Sequence, residues 1–225
     1  MSINRKEFLS SIAWGSGSLA LFSSFGFVTF PVSDGKSWKA IVIDYSKCAG
    51  CRTCEMVCSE NNHRLQIEGT TINGQGNPEL SNIRVWRFHP PSDVAVTCFL
   101  CHDAPCVEAC PVKPHAETGR KALYRDEILG TIKSDYDRCI GCQSCATACR
   151  LDRAGIIYPD DEGSPTGMCT LCNGDPSCVK WCPFDALAYL EITDDMSMRN
   201  MKPEQIANML FEKFYDKETM EKHKL

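Results

Sequence analysis

Residues 48–58 read Cys48-Ala49-Gly50-Cys51-Arg52-Thr53-Cys54-Glu55-Met56-Val57-Cys58, and their spacing decides the fold. Three cysteines follow one another at three-residue steps, and a fourth comes after three more residues. A loop carrying Cys48, Cys51 and Cys54 can turn all three thiols toward one point, and Gly50 supplies the backbone freedom for so tight a bend. The last step, C-x3-C, places two residues on one side of a helical turn. The same pattern returns at Cys139, Cys142, Cys145 and Cys149, with Gly141 in the place of Gly50. Two looser versions stand at Cys98, Cys101, Cys106, Cys110 and at Cys169, Cys172, Cys178, Cys182, ending in Cys110-Pro111 and Cys182-Pro183. All 16 cysteines of the 225 residues belong to one of these groups. This internal repeat organises the chain more strongly than any hydrophobic period.

Three thiolates converging from a loop fit one face of a cube-shaped iron–sulfur cluster, with backbone N–H groups turned inward to stabilise its negative charge. The fourth cysteine, on the following helical turn, faces a second cluster. C-x2-C-x2-C-x3-C is the run that binds [4Fe–4S] clusters in two-cluster ferredoxins, with the fourth cysteine ligating the other cluster. Four related runs predict four [4Fe–4S] clusters. A disulfide framework spreads cysteines along the chain to close loops, unlike these blocks. A structural zinc site pairs one C-x2-C with a distant second one, a pattern that the third and fourth cysteines of each group break.

The net charge is −5, and no basic patch argues for nucleic acid. Four oxidised clusters, each about −2 with its thiolates, would bring the total to roughly −13. With every cysteine assigned as a ligand, no thiol nucleophile is left. No Ser/His/Asp constellation and no Gly-rich dinucleotide turn is present either. The expectation is a carrier of electrons with no substrate chemistry of its own. His102, beside Cys101, is a candidate donor to a cluster sulfur or a plain surface residue. His63, His89, His115 and His223 lie apart without metal spacing. Arg52, Lys180 and Trp181, inside cysteine groups, either tune a cluster or simply pack.

Short runs of β-branched and aromatic residues predict strands at 39–44, 83–88, 94–96, 131–133 and 186–192. The polar, Gly-containing stretches 59–82 and 112–130 read as surface loops. From Lys202 the tail predicts a helix, with Pro203 in its first turn and Ile206, Met209, Leu210 and Phe214 on one packing face. At the other end, Arg5 and Lys6 precede an uncharged stretch from Phe8 to Ser33 that is broken by glycines and serines. That is a basic region followed by a weak apolar one, the form of an export signal or an N-terminal anchor. Asn4-Arg5-Lys6-Glu7-Phe8-Leu9-Ser10 resembles a twin-arginine signal with Lys6 in the second arginine's place, which predicts an exported protein, periplasmic or on the outer face of the cytoplasmic membrane.

The chain resembles the four-cluster iron–sulfur subunits that accompany molybdenum or tungsten pterin oxidoreductases of the dimethyl sulfoxide reductase type. Within them it is most similar to the ferredoxin-like subunits beside tungsten aldehyde oxidoreductases and carbon monoxide dehydrogenases. The residues that carry the likeness are Cys48 to Glu55, Asn82-Ile83-Arg84-Val85, and Asp175-Pro176-Ser177-Cys178-Val179-Lys180-Trp181-Cys182-Pro183. It covers about residues 38–192. Group four lacks the insertion found in many such subunits, and the 112–130 loop is longer than in the compact ones. The resemblance implies an α+β, loop-rich fold of two ferredoxin-like two-cluster modules in nested arrangement. The outer module takes 38–97 with 150–192 and the inner module 98–149, between the segment 1–33 and a helical tail at 193–225. It also implies the ligand sets: Cys48, Cys51, Cys54 with Cys182; Cys169, Cys172, Cys178 with Cys58; Cys98, Cys101, Cys106 with Cys149; and Cys139, Cys142, Cys145 with Cys110. Spacing alone allows a sequential pairing of the groups equally well. The implied partners are a large catalytic subunit with a molybdenum or tungsten pterin, and a membrane quinone-reactive subunit or a soluble carrier. The competing reading is a free-standing exported polyferredoxin without a fixed partner.

Overall fold

The computed structural model describes residues 37–89, 92–193 and 201–223; the segment read as an export signal or anchor lies outside them. In chain order the elements are β1 (Trp38–Ile43), α1 (Thr53–Asn62), β2 (Arg64–Ile67), β3 (Thr70–Asn73), β4 (Ile83–His89), β5 (Ser92–Thr97), α2 (Pro105–Glu108) and β6 (Leu123–Arg125). Then come β7 (Ile132–Ser134), α3 (Ser144–Asp152), β8 (Tyr158–Pro159), β9 (Pro165–Thr166), α4 (Ser177–Lys180), β10 (Leu187–Ile192), α5 (Pro203–Phe214) and α6 (Lys217–His223). The architecture is mixed, loop-rich and built from small sheets.

The two tight cysteine runs each lead into a full helix, because their last two cysteines sit at i and i+4 of α1 and α3. The residues before these helices, Arg52 and Gln143, take left-handed backbone conformations (φ 63° and 59°). Gly50 and Gly141 do the same two residues earlier. Alternating hands of this kind turn successive N–H groups to one side, forming a concavity suited to an anion. A side chain at Gly50 would collide with Asp93, since a Cβ there would lie 2.4 Å from the Asp93 Cβ. The looser runs allow only single helical turns. Pro105 opens α2 and Pro176 precedes α4, so Cys110 and Cys182 fall beyond the helix ends.

Among the described residues the sheets are five antiparallel pairs: β1·β10, β2·β3, β4·β5, β6·β7 and β8·β9. Four are local hairpins. The fifth joins the two ends of the cysteine-bearing region, from Trp38↔Ile192 to Ile43↔Leu187. The core around the cysteines is thin: Ala40, Ile41, Ile83, Val85, Ala95, Leu100, Ile156, Leu171 and Leu187 pack between buried cysteines. Of the two stretches read as surface loops, 59–82 begins in the last turn of α1 and contains the β2·β3 hairpin and a 3₁₀ turn at Pro78–Leu80, while 112–130 contains β6, with Ala122 and Leu123 buried. Strands β2 and β3 are mostly exposed; Arg64-Leu65-Gln66-Ile67 alternates polar and apolar residues, but over four residues only, and Thr70-Thr71-Ile72-Asn73 does not.

The hairpin β4·β5 separates two cores. Ala95 faces the cysteine-lined core, while Val94 packs with Ile206, Ala207, Leu210 and Phe211 of α5. The tail therefore docks on its own chain. Its buried face departs from the expected one, for Phe211 is inside and Phe214 is exposed. The hairpin is contacted by adjacent turns of α5, and the chain becomes extended at Tyr215 (φ −116°, ψ 141°), leaving Phe214 past its edge.

Candidate metal centres

The sixteen cysteines come together in four cavities, each bordered by four of them. The first has Cys48, Cys51, Cys54 and Cys182; the second Cys58, Cys169, Cys172 and Cys178. The third has Cys98, Cys101, Cys106 and Cys149; the fourth Cys110, Cys139, Cys142 and Cys145. Each encloses about 270 to 350 Å³, partly open to solvent. All sixteen thiols are free of disulfides.

Helix geometry explains how the cavities are linked. Residues four apart on an α-helix are displaced by about 6 Å along its axis. Helix α1 thus delivers Cys54 to the first cavity and Cys58 to the second, and α3 delivers Cys145 to the fourth and Cys149 to the third. The second and third cavities meet where β5 ends, since Thr97 lines one and Cys98 the other. The four form a row from first to fourth. At each extremity one cysteine reaches the surface: Cys51 in the first cavity and Cys142 in the fourth.

The donor set suits an anionic, sulfur-rich group. Backbone N–H groups of Asn82, Leu171 and Ala186 donate to the Sγ atoms of Cys58, Cys169 and Cys182 at 3.3, 3.4 and 3.3 Å. The exposed Cys51 and Cys142 each lie by a hydroxyl two residues on, Thr53 Oγ1 at 3.4 Å and Ser144 Oγ at 3.5 Å. Burial pushes the thiols of Cys54, Cys106 and Cys169 up to about 12, and the other cysteines of the same cavities add to the effect. Thiols so placed become thiolates only when a cationic centre shares them. Among the described residues, no three His, Cys, Asp or Glu side chains converge tightly enough for a single ion. The sulfurs surround a volume, which fits the iron–sulfur cube better than one zinc ion.

Other singled-out residues fall into place around the cavities. Arg52 borders the first cavity; its Nη2 donates to Val85 O at 3.2 Å and its Nε lies 3.8 Å from Glu55 Oε2. Glu55, only 2% exposed, accepts from the Val85 N–H at 2.8 Å. Lys180 pairs with Asp175 at 2.5 Å on the surface, and Trp181 is exposed. His102 is exposed, with its ring centroid 5.7 Å from that of Trp38. His63 Nε2 lies 3.1 Å from Asn82 Oδ1.

Sequence reasoning missed two side chains that border cysteines. Asn62 Nδ2 reaches both Cys58 Sγ (3.5 Å) and Cys172 Sγ (3.6 Å), and Arg153 lines the third cavity. Both sit four residues after the last cysteine of a tight run, a helical spacing that could have disclosed them. No helix of the described residues is long and apolar enough to cross a membrane.

No protein-family model matches the chain. It is 39% identical over 142 residues to the aliphatic sulfonate oxidoreductase polyferredoxin-like subunit of Pyrococcus furiosus, covering 63% of this chain and 70% of that one. To the electron transport protein HydN of Escherichia coli it is 30% identical over 174 residues, covering 67% and 87%. To the formate dehydrogenase-O iron–sulfur subunit of Escherichia coli it is 28% identical over 187 residues, covering 76% and 58%. Cavities and likenesses together define an iron–sulfur electron-transfer protein, one that carries electrons for an oxidoreductase and is not its catalytic chain. It belongs to the family of polyferredoxin-like iron–sulfur electron-transport subunits.

Proposed function

We propose that each cavity holds one [4Fe–4S] cluster through its four cysteines, and that the chain relays single electrons between a molybdenum or tungsten pterin catalytic subunit and a membrane quinone-reactive subunit or soluble carrier. The observation that carries this reading is the meeting of all sixteen cysteines in four sets of four. The sets combine runs one with four and two with three, which supports an outer and an inner module in nested arrangement. A [4Fe–4S] cluster supplies reversible one-electron chemistry over a wide range of potentials. The residues around it contribute thiolates, N–H donors that stabilise added negative charge, and apolar side chains that keep water away. Exposure of Cys51 and Cys142 at opposite ends of the row supports one point of entry and one of exit. A catalytic partner accords with the naming of two relatives as subunits of an oxidoreductase and of a formate dehydrogenase. Export through the segment containing Arg5 and Lys6 completes the proposal.

The test is stoichiometry. Protein reconstituted anaerobically should bind about sixteen iron and sixteen sulfide, four of each per cluster. Zinc in place of iron, or half the iron with eight free thiols, would overturn the reading. Purification from the native source should bring a large catalytic subunit with it.

A further inference from the structure

The second and third cavities differ at one matching position. Each tight run ends on a cysteine of a helix, Cys58 on α1 and Cys149 on α3, and each is followed four residues later by a polar side chain at the edge of a cavity. After Cys58 this is Asn62, a neutral amide. After Cys149 it is Arg153, a cation. The same positions after Cys110 and Cys182 are Pro114 and Ala186, which offer no side-chain donor.

Both side chains are held in place. The Asn62 amide donates to Cys58 O at 3.0 Å as well as facing two sulfurs, and its Oδ1 accepts from the Thr170 hydroxyl at 2.5 Å. Thr170 lies between Cys169 and Cys172 and accepts from the Cys172 N–H at 3.2 Å, so the amide is tied to the run whose sulfur it faces. Arg153 is anchored at its far end, where Nη1 donates to Asp152 O at 2.6 Å and Nη2 pairs with Asp103. Its Nε is buried and has no hydrogen-bond partner. An orphaned N–H on a cation is costly, and here it belongs to a side chain that borders four cysteines. Asp103 compensates only partly: its side chain is 59% exposed against 18% for Arg153, so water screens the carboxylate more than the guanidinium.

We infer that Arg153 and Asn62 are positioning residues that set the potentials of the two middle clusters, with the third cluster the more easily reduced. The inference rests on the four-cluster reading. Reduction adds one negative charge, and potentials respond to net charge and to hydrogen bonds on sulfur. A largely shielded cation with a buried N–H stabilises the reduced form more than an amide shared between two sulfurs.

The experiment is an anaerobic redox titration of the loaded full chain, followed by electron paramagnetic resonance. The third cluster's signal is identified as the one altered in Cys98→Ser. Arg153→Gln should lower the midpoint of that signal by about tenfold in the reduced-to-oxidised ratio, or 59 mV for one electron. Arg153→Lys should recover most of the shift. Asn62→Leu should lower the second cluster's midpoint, and Asn62→Arg should raise it. Signals present at full iron content but unmoved by Arg153→Gln would overturn the inference. If Arg153→Gln fails to load, Asn62→Arg decides: a raised midpoint supports the inference and an unchanged one overturns it. Absence of any cluster signal in the unaltered protein would instead sink the four-cluster reading.

Discussion

The tail helix offers a clean separation between the core that holds the cysteines and the core that does not. Ile206 is wholly buried against Val94 and the neighbouring side chains of α5, on the side of the β4·β5 hairpin away from the cavities. Ile206→Ala removes a large apolar side chain from a site closed on all sides, a change that costs about 2–5 kcal/mol. Taking about 3 kcal/mol, the docking equilibrium of the tail shifts by roughly two decades, at 1.4 kcal/mol for each. Local opening of this size is read by amide hydrogen exchange. The amides of Asn208 to Phe211 should exchange about a hundredfold faster in the variant. Those of the β1·β10 pair should keep their rates, and iron content should stay the same. Loss of iron, or equal acceleration in β1·β10, would show that the tail is part of the cluster core and refute the separation.

Other consequences can be tested alongside it. Cys182→Ser and Cys48→Ser should disturb the same paramagnetic signal, and Cys110→Ser should disturb another, shared with Cys139→Ser; a common signal for Cys48→Ser and Cys110→Ser would mean sequential modules. Gly50→Ala places a side chain at φ 64°, a left-handed conformation that costs about 1–2 kcal/mol, and drives it into Asp93. It should lower the iron bound by about four per chain and spare the other three signals; full iron content would refute the collision. Replacing both Arg5 and Lys6 by Gln should leave folded, loaded protein in the cytoplasm, and unchanged localisation would refute the export reading.

Much of the cysteine arrangement was legible because it is written in short spacings. Three-residue steps, a following helical turn and glycines at matching places are local features, and local features survive in a linear reading. Strands at β1, β4, β5, β7 and β10 were visible for the same reason, through β-branched runs. The β2·β3 hairpin was not, because its strands are only four residues long and mostly exposed, so the alternation of Arg64-Leu65-Gln66-Ile67 is too short to stand out from the polar stretch around it. The tail helix was visible in type but not in face. Ile206, Leu210 and Phe214 satisfy helical spacing as well as Ile206, Ala207, Leu210 and Phe211 do, and only the position of the hairpin chooses between them.

By itself the sequence determined that cysteines would gather in loops followed by helical turns, since the geometry of four or five consecutive residues demands it. It left open which run would meet which, because C-x2-C-x2-C-x3-C constrains nothing beyond its own eleven residues. In the tertiary structure, cysteines of runs one and four border two common cavities, and those of runs two and three the other two. Pairing of β1 with β10 brings the first and last runs into reach of each other, and α1 and α3 then point successive cysteines into neighbouring cavities. The tertiary structure also decided that Asn62 would face sulfur and that Arg153 would line a cysteine-bordered cavity, because a side chain's surroundings depend on segments more than a hundred residues away for Asn62 and fifty for Arg153.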